Sequence, residues 1–263
     1  MTPAIRIRGL RKVFQSGGRQ VVALDGIDLE VAPGELTCLL GPSGCGKSTL
    51  LNAIAGFAPP SAGELTVLGR PVTGPGPERA MVFQEYALFP WMTVEQNVAF
   101  GLELKGMAPA ARRAVVDGLL ARLGLTDFRD RFPKDLSGGM RQRVAIARVL
   151  AIDPPMLLMD EPFGALDALT RRTLQDELLR LWAEDRKTIV FVTHGIEESI
   201  YLADRVVVMT YRPGTVKRIV PITLPRPRDP ASPEFNALKR ELTALVMEGQ
   251  ARHQADEVRG TGD

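Results

Sequence analysis

The chain of 263 residues is 45% hydrophobic and 24% charged, enough apolar material for one large or two small globular domains, which excludes general disorder except at the ends. Its 33 basic and 31 acidic side chains leave a formal charge of +2, too balanced to predict a nucleic-acid or anionic-membrane surface from electrostatics alone. The two cysteines, Cys38 and Cys45, sit at neither disulfide nor zinc spacing, so a reducing cytosol fits best; no apolar run has signal-peptide or membrane-span length, so any work at a membrane needs another anchor.

Residues 4–31 alternate apolar and polar positions on either side of SGGR, the pattern of antiparallel strands joined by a loop. GELTCLLG is a short apolar run without alternation, as a buried parallel strand requires, and it enters a glycine-rich turn followed by the helical run STLLNAIAGF. The segment from Val94 to Leu123 has apolar positions at helical spacing, with Thr93 as a candidate cap, and reads as a helical insert. PMLLMDEP, a helix over 168–184, KTIVFVTH, a helix through IEESIYLA and RVVVMTY then give the alternation of a parallel sheet. Six prolines between Pro213 and Pro233 predict that the core ends there. Beyond them, Ser232 and Pro233 open a last helix, followed by a polar tail from about Arg252.

GPSGCGKST fits the phosphate-loop (Walker A) pattern at Gly41, Gly46, Lys47 and Ser48, within the strand-to-helix context such a match needs. Gly44 and Gly46 let the backbone approach phosphate oxygens, the helix beginning near Lys47 adds its positive dipole end, Lys47 reaches the β and γ phosphates, and the Ser48 hydroxyl suits Mg²⁺. The plainer alternative is a glycine turn that binds nothing. Four apolar residues, Met156 to Met159, run into Asp160 and Glu161 and so place two carboxylates at a strand's C-terminal edge, beside the ligand crevice of an open α/β sheet. Asp160 fits a Mg²⁺-water role and Glu161 a general base; alone, the pair would read as a solvated helix cap. LSGGMRQR, residues 136–143, is a second serine-glycine entry to a helix and looks redundant within one chain.

With LSGGM shortly before LLMDEP, the sequence resembles the ATP-binding-cassette (ABC) transporter ATPases. The resemblance implies an α/β fold with a P-loop NTPase (RecA-like) core of parallel sheet, an N-terminal antiparallel β subdomain and an inserted helical subdomain. The ATPase domain would span 4–233 with its helical part at about 86–150, followed by a C-terminal helix and polar tail over 234–263. It also explains the second anion site: in that family Ser137, Gly138 and Gly139 hold the γ-phosphate of ATP bound to the other subunit. Gly41, Pro42, Ser43, Gly44, Cys45, Gly46, Lys47, Ser48 and Thr49 match the ATP loop. Gln84 resembles the glutamine that touches Mg²⁺ and the lytic water, Asp167 the aspartate crossing the dimer interface, His194 the histidine that bonds the γ-phosphate and orients Glu161, and Phe14 the ring against adenine. Alone, Gln84 reads as a polar loop residue, His194 as a satisfied strand-end histidine and Phe14 as an ordinary strand aromatic.

Three positions depart from the commonest family form. Met140 stands for glutamine, Phe14 for tyrosine, and Gly195 for aspartate, the last predicting a more flexible turn after His194. The expected ligands are ATP and Mg²⁺. Five of the fifteen aromatics, Phe83, Tyr86, Phe89, Trp91 and Phe100, cluster in the eighteen residues that begin beside Gln84 and read either as core or as an exposed apolar groove; in cassette importers this region receives a helix of the membrane subunit. FPWMTVEQNVAFGLELKG, EPFGALDALTR and LPRPRDPASPEF resemble the nitrate, sulfonate and taurine importers. That implies a second copy of the chain, a permease and a substrate-binding protein as partners, no nucleic acid, and a place on the cytoplasmic face of the inner membrane. An exporter ATPase, or a soluble ABC ATPase outside transport, is the alternative.

Overall fold

A computed structural model describes residues 2–16, 19–164 and 166–260; the loop expected at Gly17 and Gly18 and the last three residues of the tail lie outside the described residues. In chain order the elements are β1 (Ile5–Ser16), β2 (Arg19–Val31), β3 (Leu36–Leu40), α1 (Lys47–Ala55), β4 (Ala62–Val67), β5 (Arg70–Pro71), β6 (Arg79–Val82), α2 (Val94–Leu104), α3 (Pro109–Arg122), α4 (Gly138–Ala151), β7 (Met156–Asp160), α5 (Ala168–Asp185), β8 (Thr188–Thr193), α6 (Ile196–Leu202), β9 (Arg205–Met209), β10 (Val216–Pro221) and α7 (Pro233–Gly260). They fall into two compact units, one of residues 1–76 and 188–263 and the other of residues 77–187.

In the first unit, β1 pairs antiparallel with β2, Ile5 facing Val31 and Ile7 facing Leu29, so that Ile5, Ile7, Leu29 and Val31 are buried while Arg6 and Arg8 turn outward to Glu30. β4 pairs antiparallel on the other side of β1 and carries the two-residue β5. AGELTV escapes a reading of periodicity because its pairing is made with a strand some fifty positions earlier. β3, buried at every residue, runs parallel between β8 and β9, and β10 extends this sheet antiparallel to β9. Such an all-buried strand is the product of neighbours on both sides.

The proline-rich stretch does not end the core. β10 and the chain after it remain packed: Val220, Ile222, Arg228, Phe235 and Leu242 are all buried. Proline excludes helix and central strand but not an edge strand or a strap, and β10 is an edge. Arg228 is 4% exposed and donates to five carbonyls, among them Ala203 at 2.7 Å, Tyr201 at 3.3 Å and Ile222 at 3.3 Å. Burial, followed by repulsion from Arg226, lowers its pKa to about 10, and the guanidinium stays charged against the carbonyls that end α6. Arg226 pairs with Asp204 at 2.7 Å and also reaches Leu202 O. The Ser232 hydroxyl accepts from Phe235 N at 3.2 Å, as an N-cap should, and α7 continues to Gly260, so the polar run from Arg252 to that point is helix instead of tail; it holds good helix formers and no proline.

The second unit holds β6 parallel to β7 and a helical layer whose core includes Val94, Val98, Leu102, Leu120, Leu136 and Val144. The insert expected as one helix-like segment is two helices, because Gly106 turns at φ +69° and Pro109 starts α3 at its first turn. Thr93 and Gln96 form a reciprocal cap at the start of α2. We expect Arg228→Met to lower unfolding free energy by about 2–3 kcal/mol, since the carbonyls it serves would be left buried without a donor. An unchanged denaturation midpoint would contradict that role.

Candidate functional site

The phosphate loop of the first unit begins where β3 ends. Gly44 at φ +79° and Gly46 at φ +92° take left-handed backbone, and Gly46 is the N-cap of α1. A Cβ on Gly46 would stand 2.6 Å from Leu24 Cδ2 and 3.1 Å from Ala23 O, and one on Gly41 would stand 2.7 Å from Cys45 Sγ and 3.1 Å from Met209 O. Glycine is therefore required twice over, by conformation and by space. Lys47 lies 4% exposed inside the loop, and its ammonium donates to Gly41 O and Pro42 O at 2.8 Å each. Ser43, Gly44 and Ser48 are exposed, Pro42 and Thr49 half-buried, and Cys45 buried. Burial pushes the Cys45 thiol up, while Lys47 pulls it part of the way back. A lysine held in a ring of left-handed backbone, ahead of the nine-residue helix α1, suits polyphosphate oxygens.

His194 is exposed in the turn between β8 and α6. Gly195 was expected to loosen this turn, yet Gly195 N donates to Thr193 Oγ1 at 2.9 Å and Thr193 Oγ1 donates to Glu198 Oε2 at 2.5 Å. Those bonds restrain a backbone that glycine alone would leave free. Phe14 lies on β1 opposite Val21, 43% exposed, with the Lys12 ammonium 5.1 Å from its ring centroid. The ring is open on one face, as either a stacking platform or an ordinary edge aromatic can be.

In the second unit, the register pairs Val82 with Met159, so the parallel strands β6 and β7 leave one sheet edge side by side, carrying Gln84 two residues beyond Val82 and Glu161 two beyond Met159. Gln84 is exposed; Asp160 and Glu161 are half-buried. Glu161 takes φ +43°, an uncommon backbone for a side chain of its size, and its carbonyl accepts from Gly164 N at 3.1 Å. The chain after Gln84 is fastened to α4: Arg148 donates to Ala87 O at 2.7 Å and to Tyr86 O at 3.3 Å, and Arg141 lies over the Tyr86 ring at 5.6 Å. Sequence reasoning gave no role to Arg148, or to Asn97, whose buried amide holds Phe89 by N–H and C=O at 2.9 and 3.2 Å.

Ser137 is the N-cap of α4, its hydroxyl accepting from Met140 N at 3.3 Å. Met140 thus joins the cap through its backbone, which its side chain does not affect. Gly139 is buried where a Cβ would fall 2.6 Å from Thr170 Cγ2, whereas Gly138 is half-buried beside Tyr86. Asp167 caps α5 through Thr170 N at 3.0 Å, and that bond, first among several, holds its carboxyl below the usual range. Of the aromatic cluster, Trp91 is 70% exposed, while Phe89 packs at a tilt against Trp91 and Phe100, with centroids 5.7 and 4.7 Å apart. Phe83, Tyr86, Phe89 and Phe100 are half-buried, so none of the five belongs to the buried core.

A buried strand delivering left-handed glycines, a loop lysine and a helix N-terminus defines a P-loop nucleotide-binding α/β protein. A family model described as ABC transporter matches residues 24–164. The chain is 52% identical to an ATP-binding protein of Brucella abortus (strain 2308), over 95% of this chain and 96% of that one. It is 46% identical to the aliphatic sulfonates import ATP-binding protein SsuB of Bacillus subtilis (strain 168), over 91% and 92%, and 46% identical to the nitrate import ATP-binding protein NrtD of Synechocystis, over 90% and 89%. A dimeric ATP-binding cassette solved in a post-hydrolysis state with ADP and Pi aligns with a TM-score of 0.75 at 32% identity, over 84% of this chain and 99% of that one. The chain belongs to the ABC transporter family, as an ATP-binding subunit whose ATP hydrolysis is coupled to transport.

Gly46→Ala combines a left-handed φ with the Leu24 clash, so we expect it to cost at least about 1–2 kcal/mol of stability and to abolish ATP binding. Equilibrium ATP titration checks this; wild-type affinity in a folded variant would contradict it.

Proposed function

We propose that the chain is the ATPase subunit of an importer for a small sulfonate- or nitrate-type anion. Two copies would close head to tail around ATP at the cytoplasmic face of the inner membrane, driving a separate permease fed by a substrate-binding protein. One observation carries this reading: the chain has two helix starts dressed for an anion, the P-loop before α1 and the exposed Ser137 before α4. A second anion-ready helix end has a purpose if it serves the nucleotide of another copy. The likeness to sulfonate and nitrate import subunits and to a dimeric cassette supports it. Among the described residues no helix is long and apolar enough to cross a membrane, so the permease would supply the path.

Hydrolysis of the phosphoanhydride needs positioning and charge dispersal more than covalent chemistry from the protein. Gly41–Thr49 would cradle the phosphates with backbone N–H groups, and Lys47 would leave its two loop carbonyls to meet the triphosphate. Ser48, Gln84 and Asp160 carry hydroxyl, amide and carboxylate oxygens, the hard donors that suit Mg²⁺, and these would hold the ion. Bound there, Mg²⁺ neutralises charge on the phosphate oxygens. Glu161 would take a proton from the attacking water, His194 would orient Glu161 and bond the γ-phosphate, and Asp167 would cross to the other copy. Phe14 would stack on adenine, a contact worth about 0.5–1.5 kcal/mol beyond buried area.

Because ATP would bind the closed pair better than single chains, nucleotide would shift the population toward closure and hydrolysis would release it. The Phe89–Trp91–Phe100 cluster, with Trp91 exposed, would receive a permease helix. Glu161→Gln should retain ATP affinity while turnover falls by about 10²-fold or more, measured by phosphate release; normal turnover would remove Glu161 as the base. Trp91→Ala in the assembled transporter should abolish uptake into vesicles while ATPase activity persists, and full uptake would refute the docking role.

A further inference from the structure

The turn between β9 and β10, Thr210 to Thr215, belongs to no motif, yet it forms one wall of the phosphate loop. A Cβ on Gly44 would make ordinary van der Waals contact with the Tyr211 phenol, 3.4 Å from Cε2 and 3.6 Å from the hydroxyl oxygen, so the side chain bounds the exposed Gly44 across about the space of one methyl group. A Cβ on Gly214 would stand 2.2 Å from Cys45 O, 3.1 Å from Ala23 O and 3.1 Å from Leu24 Cδ2. The two backbone oxygens cannot yield as the end of a side chain can.

The turn is held rigidly in place. Gly214 N donates to Ala23 O at 2.9 Å and Asp25 N donates to Gly214 O at 3.1 Å, so it makes a parallel bridge with β2 at Leu24. Thr210 ties the two ends of the turn together, accepting from Thr215 N at 2.9 Å and meeting the Thr215 hydroxyl at 2.8 Å. Arg212 caps the outer side of the Tyr211 ring, 5.5 Å from its centroid. The same stretch of β2 also faces Gly46, whose Cβ would meet Leu24. The loop therefore rests on a seat made of Ala23, Leu24, Tyr211 and Gly214, all within one compact unit.

We propose that Tyr211 and Gly214 are positioning residues for nucleotide binding: they fix the path of Gly44 and Cys45 so that the loop's N–H groups converge before ATP arrives. Glycine at 44 has no side-chain constraint on its backbone; the Tyr211 ring limits from outside the space into which it can move, and the close approach of Gly214 to Cys45 fixes the next residue. Preorganised donors need no reordering when the ligand binds, and a displacement of about 1 Å in such a site can cost up to 10²-fold. The inference rests on the nucleotide-binding reading of the P-loop and adds to it a segment outside the family motifs.

Tyr211→Ala is expected to weaken ATP binding by roughly tenfold, equivalent to about 1.4 kcal/mol, with Tyr211→Phe restoring wild-type affinity because the ring edge is the part of the side chain nearest to Gly44. Unchanged affinity in Tyr211→Ala, or a failure of Tyr211→Phe to restore it, would overturn the proposal. An orthogonal measurement needs no altered loop. The chain has three tyrosines, so meta-fluorotyrosine labelling gives three fluorine resonances, and the one lost in Tyr211→Phe belongs to Tyr211. It should shift on addition of Mg-ATP while that of buried Tyr201 stays; a Tyr211 resonance indifferent to saturating Mg-ATP would equally overturn the proposal. If wild type itself failed to bind ATP, the P-loop reading would fall, an outcome distinct from a Tyr211→Ala chain that binds as well as wild type.

Discussion

The phosphate loop can exist only because the backbone between Gly41 and Gly46 has no side chains where its neighbours crowd in. Met209, Leu24 and Cys45 occupy the space that Cβ atoms at Gly41 and Gly46 would need, and Gly44 and Gly46 turn with φ near +80° to +90°. β3 is buried at all five positions and held in parallel register by β8 and β9, so the loop starts from a fixed edge. Lys47 is drawn inside by two carbonyls, which keeps its charge at the centre of the loop.

The second unit depends on a different restraint, the fastening of an irregular segment to α4. Residues 83–93 have little regular structure, and Tyr86 and Ala87 both take positive φ. Arg148 from α4 and Asn97 from α2 supply the hydrogen bonds that strands or helices would otherwise provide. A shift of the segment after Gln84 would therefore be felt in α4, the helix that Ser137 opens. The segment after Gln84, proposed to meet the nucleotide's Mg²⁺, and α4 are in this way physically joined inside one unit.

Local chemistry was legible in the sequence and non-local packing was not. GPSGCGKST, the helix entry at Ser137, the Thr93 cap and the buried strands β3, β7 and β8 all announce themselves within ten residues. β4 did not, because its partner β1 is distant in sequence, and the break between α2 and α3 was hidden by apolar spacing that continues across Gly106. The prolines after Pro213 read as an end to the core, yet Arg228 and Phe235 are buried beyond them; a strap satisfied by carbonyls leaves no periodic signal. Gly195 read as a source of flexibility, since the bond from Thr193 to Glu198 spans five residues and can be recognised only once the turn is built. Tyr211 and Gly214 carried no motif, and only the distance from Gly214 to Cys45 reveals them.

We propose that each ATP is enclosed by the P-loop of one copy and the Ser137 helix start of another. At sedimentation equilibrium a hydrolysis-deficient chain should then be single without nucleotide and paired with Mg-ATP. The pair should be lost when Ser137 is replaced by arginine in a chain that still binds ATP. A hydrolysis-deficient chain that binds Mg-ATP and sediments as a single chain at every concentration, even with its permease present, would contradict it.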